Sequence, residues 1–115
     1  MDQGTFFLIL GSLLLLEILG LILWLSPPKR NLVFGFRTAT TLNHPEIWDI
    51  AQRRSGRAFC AISMSFIVMH VANYYWLNFK PEIVIGIGLP IALVIMTVAI
   101  EIGLRRHLKR LKPYN

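Results

Sequence analysis

The chain has 115 residues, enough for one compact unit and no more. It is 55% hydrophobic with a mean hydropathy of +0.57, too apolar for a small soluble domain that must keep a polar surface. Its net charge of +6 would suit nucleic acid, but no recognition module fits between the apolar segments, so nucleic acid is excluded as a partner.

The apolar residues fall into three runs, at residues 5–26, 58–79 and 83–104. Each is about as long as the ~20 residues a helix needs to cross a bilayer. Helix is the form expected, because a spanning segment must satisfy its own backbone polar groups. The sequence therefore predicts an all-α membrane protein with three transmembrane helices. Run one is not read as a signal peptide: Asp2 is its only flanking charge, and Pro27-Pro28-Lys29-Arg30 resembles a stop-transfer flank.

Loop 27–57 carries Lys29, Arg30, Arg37, Arg53, Arg54 and Arg57. Tail 105–115 carries Arg105, Arg106, Lys109, Arg110 and Lys112, whereas Lys80 stands alone in the second connection. The excess of basic residues predicts that loop and tail are cytoplasmic and the N-terminus outside. Anionic headgroups are the expected neighbours of these charges. Cys60 is the only cysteine, so no internal disulfide forms.

Within the loop, Pro27-Pro28 ends helix one. Asn43 and Glu46 have the spacing of a capping box, with Pro45 in the first turn. They predict a short helix from about Pro45 to Arg54, ending near Ser55-Gly56 and lying on the cytoplasmic face of the bilayer with Trp48 at the interface. Asn78 to Glu82 reads as a tight turn that makes helices two and three an antiparallel hairpin.

The same loop contains Asn31-x-x-Phe34-Gly35-Phe36-Arg37-Thr38-x-x-Thr41-Leu42, followed by Glu46-x-Trp48-x-x-Ala51-Gln52-Arg53-x-x-Gly56-Arg57. This ordered set between two spans resembles the SdpI-type family of bacterial membrane proteins, named for an immunity protein. The motif covers about a quarter of the chain. The resemblance implies a cell-membrane protein. It implies tolerance to, or sensing of, a toxic membrane-active peptide, and a link to a cytoplasmic repressor. The immunity protein is longer, with more spans, and this chain resembles the part that carries the motif.

Polar residues inside the spans are the candidate binding groups. Glu17 sits near the middle of run one, where an unpaired charge costs several kcal/mol. Ser63, His70, Asn73 and Tyr74 share one face of run two. Counted from span centres, Glu17 and His70 lie roughly 6 Å apart along the axis, within reach of each other. They serve either as a binding site or as interhelical hydrogen bonds, each typically worth about 0.6 kcal/mol. Glu17 and His70 are metal-ligand types, but no H-x-x-x-H, H-E-x-x-H or cysteine pair accompanies them, so no metal and no cofactor is expected. Arg37 is placed to clamp the loop by pairing with Glu46 or Asp49.

Thr97 and Glu101 share a face of run three, and Glu101 precedes Arg105 by four residues, either a polar vestibule or an i,i+4 pair. Ser63 and Ser65 lack the glycine elbow of hydrolases, which disfavours an enzyme. Two other readings remain: an intramembrane enzyme or transporter around Glu17, His70 and Asn73, and a tether for a cytoplasmic regulator. A bundle this thin also predicts a second copy covering Glu17.

Overall fold

The computed structural model describes residues 2–31 and 35–111. Motif residue Phe34 and the tail residues 112–115, Lys112 among them, lie outside the described residues. Four α-helices follow in order: α1 (Gln3–Leu25), α2 (Ala39–Asn43), α3 (Trp48–Tyr75) and α4 (Pro81–Leu111), with a 3₁₀ turn at Pro45–Ile47 before α3. Three of them, counting the 3₁₀ turn with α3, are long and apolar enough to cross a membrane.

Helix α1 starts where Asp2 accepts a hydrogen bond from the Thr5 amide at 2.6 Å, which occupies one of the orphan donors of the first turn. That bond holds the Asp2 carboxyl below its ordinary range. At the other end, α1 stops at Ser26, ahead of Pro27 and Pro28.

The α3 boundaries differ from the sequence reading at both ends. No separate helix ends at Ser55-Gly56; the segment from Trp48 runs unbroken into the span. A segment continuous with a spanning helix does not lie flat on the bilayer. Trp48 is buried within the fold, and its Nε1–H donates to the Pro28 carbonyl at 2.8 Å. The capping box also sits elsewhere. Asn43 is the last residue of α2, in helical conformation, and cannot serve as an extended N-cap. Thr38 and Thr41 form the box instead, at the start of α2.

At its far end α3 stops at Tyr75, four residues short of the expected Phe79. Asn73 turns the chain there: its amide donates to the Phe79 carbonyl at 3.0 Å and accepts from the Phe79 N–H at 2.8 Å. Pro81 then opens α4, a first-turn position where its missing N–H costs nothing. Helix α4 continues through Pro90 and past the apolar run to Leu111, so the described part of the basic tail is helical.

Helices α1 and α3 pack along their whole length. In contrast, α4 fully buries only Leu104 among its described residues. A small apolar core of Phe36, Ile47, Ala51 and Leu104 joins loop, α3 and α4 at the basic end of the bundle.

Candidate functional site

The seam between α1 and α3 is set by glycine. A Cβ added at Gly56 would fall 2.5 Å from the Trp24 nitrogen and 2.7 Å from the Gly20 carbonyl oxygen. Both are backbone atoms, so the helices touch main chain to main chain. Gly20 faces Cys60 in the same way, its absent Cβ 2.9 Å from the thiol sulfur. Such close approach is how apolar helices associate in lipid, where no hydrophobic force drives them together.

The polar residues expected to form a site are distributed along this seam. Ser63 Oγ–H donates to Glu17, and the Cys60 thiol reaches the Glu17 carbonyl at 3.8 Å. His70 Nε2 lies 3.0 Å from the Phe6 carbonyl, an acceptor, so that nitrogen carries the proton. The Phe6 ring stacks on His70 and on Tyr74, with centroids 5.0 and 4.1 Å apart. Thus Glu17 and His70 do not meet. They bond two turns apart along α3, about 10 Å. Asn73 is taken up by the turn at Phe79.

Each of these bonds pins α1 to α3 or closes a turn. Glu17→Gln keeps an acceptor for Ser63 and should change stability by less than about 1 kcal/mol, measured by thermal unfolding in micelles. A larger loss would show that the carboxyl does more than accept this bond. Among the described residues, no group of three His, Cys, Asp or Glu converges to hold a metal.

The loop forms a lid over the basic end. Gln52, fully buried, pairs with the backbone of Phe36: its Oε1 accepts from the Phe36 N–H at 2.6 Å and its Nε2 donates to the Phe36 carbonyl at 2.9 Å. Gly35 precedes this contact at φ +115°, a conformation that favours glycine, and a Cβ there would lie 2.5 Å from Gln52 Oε1. Thr41, also fully buried, donates to the carbonyls of Phe36 and Thr38. Thr40 donates to Glu101, which ties the lid to α4.

Asn31 folds its side chain back to the Lys29 carbonyl at 2.7 Å. Arg53 pairs with Asp49 at 3.0 Å and donates to the Trp24 carbonyl at 3.2 Å. Arg37 and Glu46 lie on the outer side of the lid with exposed side chains. Most of the motif is therefore explained by architecture: one left-handed glycine, one capping box, one buried amide, one indole anchor and one helix crossing. Residues 28–103 match the model of the SdpI/YfhL protein family. The chain belongs to that family. No curated protein and no solved structure matches it.

Openings remain among the described residues of this SdpI-family chain. One is an apolar groove of about 510 Å³ between α3 and α4, bordered by Ala58, Ala61, Ala92, Ala99, Ile95 and Met96. Phe66 packs near Gly88 on one side of it, and Leu104 meets Ala51 on the other. Between those contacts, alanine side chains are too short to fill the gap. A second opening, about 260 Å³, lies beside Thr38, Thr97, Glu101 and Arg105 at the basic end. Gln52 and Thr40 were not among the sequence candidates. Gln52 had a signal in the motif, whereas Thr40 had none.

Proposed function

We propose that this chain gives a bacterial cell tolerance to a membrane-active peptide, or senses one, by taking the peptide helix into the groove between α3 and α4. In this reading the lid and basic tail face the cytoplasm. The supporting observation is the groove itself: it is apolar, opens sideways where lipid would lie, and has an alanine floor. Small side chains let a third helix approach closely, and close approach is what gives helix association its energy in a bilayer. Glu17, Ser63 and His70 support the groove indirectly by fixing α1 on the opposite side of α3. Family membership agrees with the reading.

The test is to fill the floor. Ala61→Leu with Ala92→Leu adds bulk where no packed neighbour is displaced. Sensitive cells expressing the wild-type chain should survive about a tenfold higher dose of at least one peptide in an apolar, helix-forming panel, a factor equal to about 1.4 kcal/mol of binding. The double variant, made to the same level, should lose that protection. Equal protection by both would remove the groove from the account, and no protection by the wild type would remove the function. A photo-crosslinker at Ala99 that captured another copy of the chain would assign the groove to self-association.

A further inference from the structure

We propose that the opening beside Glu101 and Arg105 is a binding site for an aminophospholipid, a lipid whose headgroup carries a primary ammonium and a phosphate. The pocket sits where α4 changes from apolar to basic. Its walls are Thr38, Thr97, Val98, Glu101, Ile102 and Arg105. Val98 and Ile102 are about half exposed on the lipid-facing side of α4 and form a track for an acyl chain. Glu101 and Arg105 stand one turn apart, Nε to Oε1 at 3.4 Å, and present one negative and one positive group to the same opening.

One oxygen of the carboxylate is short of donors, although the Thr38 hydroxyl also lies against the carboxyl group. Oε1 accepts from Thr40 and Arg105, while Oε2 is buried with no hydrogen-bond partner among the described residues. Rotation about the last side-chain bond of glutamate is soft, so the carboxylate turns an oxygen toward the pocket easily. An ammonium group there supplies the missing donors. The Arg105 side chain is 69% exposed and uses one N–H on Glu101, which leaves the rest of its fork for a phosphate. A choline headgroup has no N–H to give, and a glycerol headgroup brings no cation to balance Glu101. The pairing of opposite charges one turn apart therefore selects a zwitterion with a primary amine.

The chain is reconstituted in phosphatidylcholine nanodiscs doped with phosphatidylethanolamine, its N,N-dimethyl derivative or phosphatidylglycerol, and retained lipids are counted by native mass spectrometry. The wild type should retain phosphatidylethanolamine about tenfold over phosphatidylcholine, with the dimethyl lipid between them. Glu101→Gln keeps an oxygen for Thr40 and should bring that ratio to about one. Arg105→Ala should weaken retention of every phospholipid tested. Equal retention of the ethanolamine and choline lipids by the wild type, or a preference unchanged in Glu101→Gln, overturns the site. So does a preference for phosphatidylglycerol, which would indicate a basic patch. Displacement by soluble phosphoethanolamine at the lipid's own concentration would overturn the bilayer as the source.

Discussion

Gly56→Ala should unfold most of the α1–α3 seam. One methyl group would meet the Trp24 nitrogen at 2.5 Å and the Leu23 carbonyl carbon at 2.8 Å, and neither can rotate away as a side chain would. The helices must separate, which loosens the Ser63–Glu17 and His70–Phe6 bonds along the same seam. Overpacking typically costs 1–3 kcal/mol, and a backbone-to-backbone clash belongs at about 3 kcal/mol or above. Helix propensity acts in the opposite direction, since glycine to alanine gains up to about 1 kcal/mol in a helix interior. Gly11→Ala isolates that gain, because a Cβ at Gly11 meets nothing within 4 Å. Thermal unfolding in one detergent should place Gly56→Ala below the wild type and Gly11→Ala at or slightly above it. Equal midpoints for all three would mean the helices do not touch as described.

Gln52→Leu should open the lid while the spans stay folded. Its side-chain amide makes both bonds to Phe36, and leucine makes neither. The Phe36 carbonyl keeps its bond from Thr41, but the Phe36 N–H is left buried and unpaired, a loss of about 1–3 kcal/mol. Tryptic cleavage after Arg37 should accelerate by at least about tenfold, with helical content unchanged. Gln52→Glu adds a pH dependence. A protonated carboxyl reproduces both bonds, because it accepts from the amide and donates to the carbonyl. An ionised one turns a charge toward the Phe36 carbonyl oxygen. Folding therefore favours the protonated form in this variant. The stability it confers is complete at low pH and is lost as pH rises, so cleavage should be slow in acid and fast near neutrality. The wild type has an amide that does not titrate, so the ratio of variant to wild-type cleavage at each pH removes the protease's own pH dependence and should rise from acid to neutrality.

These two residues also show where the sequence was legible. Hydropathy located the three spans, since length and apolarity are local properties. Gly56 reads as a stop because glycine commonly follows a helix, whereas in the fold it is a point of backbone-to-backbone helix contact. Its spacing held a clue: Gly56, Ser63 and His70 recur every seven residues, the repeat of one helix face. The Glu17–His70 pairing failed for a related reason. Run two reads as ending at Phe79, but Asn73 closes the helix at Tyr75, which brings the outer end of the helix four residues, about 6 Å, closer to His70. The Gln52–Phe36 bonds join residues 16 apart through a glycine at positive φ, and the Thr40–Glu101 bond joins residues 61 apart. Such pairings depend on the packed helices, and although Gly35, Phe36 and Gln52 stand in the motif, nothing local shows which residues meet.

The Ser63 hydroxyl that meets Glu17 lies 46 residues downstream, so it is synthesised after the carboxyl has already left the ribosome. At ~5–20 residues per second, that is a delay of about 2–9 s. During this interval the first span must partition into the bilayer with its acidic group unmatched, against a cost of roughly 2.5–3.5 kcal/mol for a charged residue at mid-helix. The leucines and isoleucines that surround Glu17 in Gln3–Leu25 offset that cost residue by residue. The apolarity of the first span thus meets a need that arises during biogenesis, before its partner helix is made.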